Sequence, residues 1–350
     1  MADLTIFGGG SWGTALAVSA ARSGHSALIW CRRREQAAAI NSTGRNPDYL
    51  QSVELPGTIS STSDIREAAL FSRLWILALP TQSIRVFLDS LASFCDDETE
   101  ICNLAKGLEI GTGSLVSGIV TGLLSRGSYS VLSGPSFAAE VAKGLPTALT
   151  VASANVKSAL LWQSLLNDKT LRVYTSGDVT GVEIGGAVKN IMAIASGMAT
   201  TLGLGDNARA ALVSRGLAEI MRLGEALGAL PQTLAGLSGI GDLVLTCYGE
   251  QSRNFRLGAA LGGGKTLEQA KREIGQVAEG AYTVIAVTEL ANRLSVEMPI
   301  SSGVRRLLYE GASPKEELER LVSRDAKAEH PASLAWAAVN RSCSNSESVV

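Results

Sequence analysis

Histidine is scarce in this sequence, in which only His25 and His330 occur among 350 residues. His25 precedes the second predicted strand and His330 lies near a polar C-terminal tail, so neither is well placed to be a catalytic acid. Histidine is the side chain that enzymes use most often for proton transfer near neutral pH. The proton-transfer group of this chain is therefore expected to be a lysine or a carboxylate.

Cysteine is also sparse, and the positions of the cysteines argue against a disulfide framework and against a structural zinc site. The number is odd, no C-x-x-C pair occurs, and the residues are scattered: Cys31, Cys95, Cys102, Cys247 and Cys343. A disulfide framework or a structural zinc site needs paired spacings. Reduced thiols, no metal ion and a cytoplasmic location are expected.

Long hydrophobic runs and an excess of either charge are lacking as well. No apolar stretch reaches the roughly 18 residues that cross a membrane, and Asp3 leaves no room for the basic start of a signal peptide. Lysine and arginine number 31 against 33 acidic residues, which argues against nucleic acid or an anionic membrane as a partner. The length exceeds one ordinary core, so two domains are expected.

Glycine is abundant near the start of the chain, where it forms a spaced motif. Gly8, Gly10 and Gly13 follow the G-x-G-x-x-G pattern between an apolar run and an alanine-rich helical stretch. This context is typical of a dinucleotide-binding strand–turn–helix, in which the helix N-terminus faces the pyrophosphate. A glycine-rich turn without a ligand is the alternative.

Three arginines follow the second predicted strand. NAD-binding proteins usually place an acidic residue there to accept from the ribose 2′-hydroxyl. Arg32, Arg33 and Arg34 would instead favour a 2′-phosphate, because a guanidinium matches phosphate geometry. The set favours NADPH, with NADH possible; simple solvation of the strand end is the alternative.

Apolar runs and helical stretches alternate up to about residue 177, which predicts a doubly wound, mostly parallel sheet covered on both faces. The predicted strands are residues 4–8, 27–31, 74–79, 100–104, 130–133, 147–152 and 171–174. The later predicted helices are residues 182–202, 206–228, 231–236, 253–262, 266–274, 280–295, 298–310 and 314–322. We therefore expect a Rossmann-type α/β domain (1–177), an all-helical substrate domain (178–332) and a polar, partly disordered tail (333–350).

Two lysines stand where they could do chemistry. Lys189 interrupts an apolar, glycine-rich helix, and a lysine buried in such surroundings has a lowered pKa that suits a general acid. Lys106 follows a predicted strand end, where a doubly wound sheet binds its ligand. The alternatives are a snorkelling Lys189 and a solvated Lys106.

Three further segments combine glycine with hydrogen-bonding groups. Gly134 and Ser136 lie between a predicted strand and a helix, while Asp242 follows two closely spaced glycines. Ser252, Arg253 and Asn254 begin a predicted helix with a donor density that suits a phosphate. Ordinary capping by Ser136 and Ser252 explains these serines equally well.

Seven ordered motifs resemble the bacterial-type NAD(P)-dependent glycerol-3-phosphate dehydrogenases. They span residues 4 to about 325 and include the glycine turn, Lys106-Gly-Leu-Glu, Ser133-Gly-Pro-Ser-Phe-Ala, Val188-Lys-Asn-Ile, Ser238-Gly-Ile-Gly-Asp-Leu, Ser252-Arg-Asn and Val277-Ala-Glu-Gly. The resemblance implies reversible reduction of dihydroxyacetone phosphate to sn-glycerol 3-phosphate for phospholipid synthesis. It also implies a helical second domain like that of 6-phosphogluconate dehydrogenase, and a homodimer.

The resemblance also implies residue roles. Lys189 would be the proton donor in reduction. Substrate would be held by Lys106, Gly134, Ser136, Lys189, Asp242, Ser252, Arg253 and Asn254. The cofactor would be lined by Gly8, Gly10, Ser11, Trp12, Gly13, Arg32, Arg33, Lys106, Ala138, Arg253, Val277 and Glu279. Whether Asp242 orients Lys189 or binds a substrate hydroxyl stays open.

Two other functions compete with this hypothesis. A β-hydroxyacid dehydrogenase would share the nucleotide domain, the helical domain and a helix-borne lysine. An NADPH-binding sensor without catalysis would need the glycine turn but not Lys106, Lys189 and Asp242.

Overall fold

The computed structural model describes residues 3–323. One compact unit ends at Gly311 and a second begins at Ala312. The first unit is built on an eight-stranded sheet with the order β3-β2-β1-β4-β5-β6-β7-β8. The strands are β1 (Asp3–Phe7), β2 (Ser26–Trp30), β3 (Ile59–Thr62), β4 (Leu74–Leu77), β5 (Glu100–Asn103), β6 (Ser128–Ser133), β7 (Thr147–Ala152) and β8 (Leu171–Ser176).

Helices cover both faces of this sheet, as the alternating pattern predicts. They are α1 (Ser11–Arg22), α2 (Arg34–Thr43), α3 (Ile65–Phe71), α4 (Ile84–Leu91), α5 (Val116–Leu123), α6 (Ala138–Ala142) and α7 (Val156–Leu166). One core face contains Leu4, Ile6 and Ile76, and the opposite face contains Phe7, Trp75 and Leu77. Side chains that alternate along β1 and β4 thus enter different cores, which is why these strands are apolar throughout.

The chain beyond Asp178 is helical within the described residues. Its helices are α8 (Val179–Thr201), α9 (Gly205–Ala226), α10 (Pro231–Leu234), α11 (Asp242–Tyr248), α12 (Arg253–Gly262), α13 (Leu267–Ile274), α14 (Glu279–Arg293), α15 (Pro299–Tyr309) and α16 (Pro314–Val322). Helix α8 is almost wholly buried and packs against α9, α11, α12 and α14. The predicted fold class, a mostly parallel Rossmann-type sheet followed by helices, is confirmed.

The sheet differs from the prediction at one strand, and one of its strand pairs is antiparallel. Strand β3 was not predicted, because its sequence Ile-Ser-Ser-Thr is short and polar and pairs only at the sheet edge beside β2. Strand β7 runs antiparallel to β6, whereas β8 is again parallel to β7. The remaining neighbouring strands are parallel.

Helix positions in the second half agree with the prediction to within a few residues, with one exception. Helix α11 was not predicted because it follows a one-turn π-helix at Leu237–Gly241 whose glycines disguise it. The helix predicted to start at Asp206 begins one residue earlier, at Gly205, and Asp206 lies in its first turn, where no side chain of the described residues caps it. Ser313 does cap α16, with Pro314 at its first position.

None of the helices within residues 3–323 is long and apolar enough to cross a membrane. The division predicted between residues 177 and 178 falls between the end of β8 and the start of α8 and stays a prediction. The predicted tail, His330 and Cys343 lie outside the described residues.

Candidate functional site

The strand order reverses between β1 and β4: β2 and β3 follow on one side of the pair, and β5 and β6 follow on the other. Because β1 and β4 are parallel, the chain leaves both strands at the same edge of the sheet. Strand β5 ends shortly before Lys106 and β6 ends directly before Gly134. Doubly wound sheets bind ligands outside the carboxyl ends of their strands at such a switch point. The topology therefore brings the glycine turn, Lys106 and Gly134 to one edge.

The glycine turn after β1 is shaped by close backbone contacts. Gly8 has φ +127°, and a side chain there would overlap the carbonyl oxygen of Ala78. A side chain on Gly13 would overlap the carbonyl oxygen of Gly8. Gly10 faces open space instead, since no described atom lies within 4 Å of the position that a Cβ would take. Gly8 and Gly13 thus serve the turn, while Gly10 leaves room for a ligand.

Two buried amides hold this turn, and the sequence analysis missed both. Asn46 donates to the carbonyl oxygen of Gly9 (2.9 Å) and to Thr14 Oγ1 (2.8 Å). Gln36 donates to the same Gly9 carbonyl (2.7 Å) and to Asn46 Oδ1 (3.1 Å). Neither residue lies in a recognisable motif, because the contact depends on how the loop after α2 returns to the turn.

The three arginines are exposed at the carboxyl end of β2, where α2 begins with Arg34. Arg33 forms an ion pair with Asp48 of the loop that carries Asn46. Ser11 and Trp12 form the first turn of α1, which no side chain of the described residues caps. The N–H groups of that turn are available to an anion.

Three charged side chains from distant parts of the sequence meet at a buried centre. Lys189 Nζ donates to Asp242 Oδ1 at 2.5 Å, and Lys106 Nζ donates to Asp242 Oδ2 at 2.6 Å. Lys106 Nζ also lies 3.4 Å from the carbonyl oxygen of Gly134. Lys189 comes from α8, Asp242 is the first residue of α11, and Lys106 belongs to the loop after β5. One carboxylate thus bridges two ammonium groups.

Burial and charge act in opposite directions on these groups. Burial lowers the pKa of Lys189 to about 8, although the Asp242 charge partly opposes this. Burial by itself would raise the pKa of Asp242, but the charges of Lys106 and Lys189 outweigh it and hold that pKa below its ordinary value. Lys189 therefore changes its protonation state near pH 8, while Asp242 stays ionised.

Thr246 also belongs to this centre, and it was not among the residues predicted from the sequence. Its hydroxyl accepts from Lys189 Nζ (2.7 Å) and lies 3.2 Å from Asp242 Oδ1. Thr246 stands four residues after Asp242, so the two share one face of α11. The four-residue spacing could have pointed to Thr246 from the sequence, but only if α11 had been predicted as a helix.

A chain of hydrogen bonds connects α8 to α12 and α14 beside this centre. The side-chain amide of Asn254 donates to Asn190 Oδ1 (2.8 Å), and Asn254 Oδ1 accepts from the backbone amide of Gly280 (2.9 Å). Ser252 caps α12 by accepting from the Phe255 amide. Ser252 thus caps its helix, as the alternative reading of this residue expected, and Asn254 helps to hold these helices together.

The remaining candidate residues lie after β6, at the starts of α6 and α12, and directly before α14. Ser136 Oγ donates to the carbonyl oxygen of Gly134 (2.9 Å), and Ala138 begins α6. Val277 is 40% exposed before α14. Burial also lowers the pKa of Arg253, which begins α12.

Glu279 is the first residue of α14, and one oxygen of its carboxyl group lacks a hydrogen-bond partner among the described residues. Its Oε2 is buried and has no hydrogen-bond partner among residues 3–323. Burial raises the pKa of Glu279 to about 7, and hydrogen bonding by Thr81 together with the positive charge of Arg253 opposes this only in part. A buried acceptor without a donor is costly, which points to a ligand donor at this position.

Two family models match the chain, and together they cover most of it. The model of the NAD-dependent glycerol-3-phosphate dehydrogenase N-terminus matches residues 3–159, and the model of the C-terminus of the same family matches residues 178–319. The chain belongs to this dehydrogenase family. The prediction of an enzyme that is an NAD(P)-dependent oxidoreductase is thereby confirmed.

Individual relatives of the dehydrogenase family resemble the chain along nearly its whole length. A glycerol-3-phosphate dehydrogenase [NAD(P)+] of Rhodospirillum rubrum is 46% identical over 326 residues, which are 93% of both chains. One from Salinibacter ruber is 44% identical over 331 residues, covering 94% of this chain and 96% of the relative. The crystal structure of glycerol-3-phosphate dehydrogenase from Coxiella burnetii has a TM-score of 0.90 and 38% identity, covering 92% of this chain and 99% of that one.

The residues of this site fit the dinucleotide that this dehydrogenase family uses. The space beside Gly10 and the uncapped N-terminus of α1 suit a pyrophosphate, and the unsatisfied Glu279 Oε2 suits an amide or hydroxyl donor. Within residues 3–323, no group of three or more His, Cys, Asp or Glu side chains is placed to hold a metal ion.

Proposed function

We propose that this chain catalyses the reversible reduction of dihydroxyacetone phosphate to sn-glycerol 3-phosphate, with Lys189 as the proton donor. The observation that carries the proposal is the Asp242 carboxylate bridged between Lys189 and Lys106 at the ligand edge of the sheet. Two ammonium groups and one carboxylate sum to one positive charge. That excess is what a developing alkoxide or a phosphorylated substrate requires.

Bound NAD(P)H supplies the hydride that reduces the ketone. As negative charge grows on the ketone oxygen, the Lys189 ammonium stabilises it and then transfers its proton to that oxygen. A pKa of about 8 keeps most of Lys189 protonated at neutral pH while leaving it acidic enough to give up the proton. In the oxidation direction the neutral amine accepts the proton from the C2 hydroxyl.

The substrate phosphate is assigned to the start of α12. Arg253 brings a guanidinium to a helix N-terminus, and both features attract a phosphate. Lys106 is assigned to substrate and cofactor, since it reaches from β5 to the Asp242 centre. Holding the phosphate fixes the ketone relative to Lys189, and such orientation contributes several kcal/mol to catalysis.

Further contacts follow the family resemblance. Substrate contacts are proposed for Gly134, Ser136, Asp242, Ser252 and Asn254. Cofactor contacts are proposed for Gly8, Gly10, Ser11, Trp12, Gly13, Arg32, Arg33, Ala138, Arg253, Val277 and Glu279. NADPH is the proposed preferred cofactor, because exposed arginines rather than an acid follow β2.

A substrate comparison tests the proposal. NADPH consumption is followed by absorbance with dihydroxyacetone phosphate, with unphosphorylated dihydroxyacetone, and with 3-oxoacids as substrates for a β-hydroxyacid dehydrogenase. The phosphorylated ketone should give a kcat/KM at least about 10³-fold higher than the others, since the phosphate anchors the reacting carbon. Preference for a 3-oxoacid, or cofactor binding without any turnover, would contradict the proposal.

Three broader properties belong to the same proposal. The chain is proposed to serve phospholipid backbone synthesis in the cytoplasm and to act as a homodimer. Light scattering on the purified protein tests the dimer, for which a mass of about twice 36.4 kDa is expected.

A further inference from the structure

An acidic residue stands beside the arginine that is assigned to the cofactor. Asp48 forms an ion pair with Arg33 at the carboxyl end of β2. The Asp48 side chain is 32% exposed and the Arg33 side chain is 54% exposed, so both remain accessible to a ligand. Asp48 lies 15 positions after Arg33, in the loop that follows α2.

This loop is fixed rather than free. Asn46 Oδ1 accepts from the backbone amides of Asp48 (3.2 Å) and Tyr49 (3.3 Å). The amide nitrogen of the same Asn46 side chain donates to Gly9 of the glycine turn. The position of the Asp48 backbone is thus set by the turn that accommodates the pyrophosphate.

The chemistry of this position follows from the fold. In a doubly wound sheet the adenosine ribose lies beyond the carboxyl end of the second strand. An acid there accepts from the 2′-hydroxyl, whereas an arginine binds a 2′-phosphate. In this chain the strand contributes the arginine and the loop contributes the acid, so both recognition groups meet at one place.

We propose that Asp48 is a specificity-determining residue that reduces the preference for NADPH over NADH. The Asp48 carboxylate is paired with Arg33, so Arg33 must give up this ion pair before it can bind a 2′-phosphate. The carboxylate also repels the phosphate directly. It also offers an acceptor to the free 2′-hydroxyl of NADH. The inference rests on the proposed placement of the cofactor, but not on the identity of the reduced substrate.

Binding of two cofactor fragments tests this role without turnover. Adenosine 2′,5′-bisphosphate and AMP differ only in the 2′-phosphate, and their dissociation constants are measured by calorimetry for the wild type and D48N. D48N should raise the preference for the bisphosphate by about tenfold, the scale of one charge acting on a phosphate several ångströms away in water. The NADPH-to-NADH ratio of kcat/KM should rise in parallel.

Matched variants complete the experiment. E54Q removes a carboxylate from the same segment, but Glu54 is paired with Arg45, so the fragment preference should stay at the wild-type value. R33Q should lose most of the preference, and D48N in that background should have a smaller effect than in the wild type. D48S should repeat the D48N result. An unchanged or lowered preference in both Asp48 variants, or an equal rise in E54Q, would overturn the inference.

Failure of this inference is distinguishable from failure of the proposed function. If dihydroxyacetone phosphate is not reduced, the fragment preference of D48N still decides the role of Asp48. If D48N leaves the fragment preference unchanged, Asp48 lacks the proposed role, whereas the substrate comparison still decides whether dihydroxyacetone phosphate is reduced.

Discussion

Asp242 Oδ1 lies 2.5 Å from Lys189 Nζ, although 53 positions separate the two residues in the chain. The other carboxylate oxygen binds Lys106, so Asp242 is shared between Lys189, the proposed acid of the reaction, and a second cation. Leaving either lysine without this partner would strand a buried charge, which is strongly destabilising. The aspartate therefore both positions Lys189 and limits how far its pKa falls.

Asp242→Asn is expected to lower kcat for ketone reduction by about 10²-fold or more and to change its pH dependence. The wild-type rate of reduction should fall as the pH rises through about 8, because Lys189 then loses the proton that it donates. Without the Asp242 charge, which raises the Lys189 pKa, this fall should begin at lower pH. The pH profile of kcat/KM measures the shift. Asp206→Asn, a highly exposed aspartate paired with Arg209, is the control; an unshifted profile in Asp242→Asn would contradict the account.

Thr246→Ala removes the hydroxyl that accepts from Lys189. One such hydrogen bond to a charged group is worth about 1.5–3 kcal/mol, so kcat should fall by about tenfold or more. Thr246→Ser keeps the hydroxyl and should retain activity to within about threefold. If Thr246→Ser lost as much activity as Thr246→Ala, packing of the methyl group would be the reason instead.

Asn46→Ala should weaken cofactor binding, because the glycine turn loses its buried amide support. A rise of about tenfold or more in the NADPH dissociation constant is expected, measured by fluorescence titration. Asn41→Ala is the matched control, since Asn41 binds Ser61 in β3 rather than the turn. It should lower the melting temperature without changing cofactor affinity; equal losses of affinity in both variants would contradict this role of Asn46.

Glu279→Gln should raise the stability of the cofactor-free protein at pH 8 but not at pH 4. The folded-state pKa is raised to about 7, so between the ordinary value of 4.5 and 7 the folded state holds a proton that the unfolded state releases. Stability contributed by this group is therefore lost as the pH rises through 7. Melting temperatures across this range measure the effect, with the exposed Glu35→Gln as control; an equal gain at pH 4 would show that charge is not the cause.

Sequence patterns were sufficient for features that depend on neighbours along the chain. The spacing of Gly8, Gly10 and Gly13 requires a strand–turn–helix, and the interruption of an apolar helix by Lys189 marks a buried amine. Most strands and helices could be predicted for the same reason, since strands buried on both faces give short continuous apolar runs and helices give apolar residues with a period of 3.6.

Features that depend on chain segments meeting in space could not be predicted in this way. Asn46 and Gln36 contact the glycine turn only because the loop after α2 folds back to it. The bridge from Asp242 to Lys106 spans 136 positions, so the sequence left the role of Asp242 open. Strand β3 and helix α11 were missed because pairing at an edge and a π-helical turn carry weak local signals.

The most direct test of the central claim compares turnover and cofactor binding in Lys189→Ala. Lys106 still neutralises Asp242 in this variant, so the fold should persist. We expect kcat to fall by about 10³-fold or more and the NADPH dissociation constant to stay within about threefold of the wild-type value. The control Lys157→Ala, which changes an exposed lysine, should leave both quantities unchanged. A parallel fall of turnover and cofactor affinity would contradict the assignment of Lys189 as the proton donor.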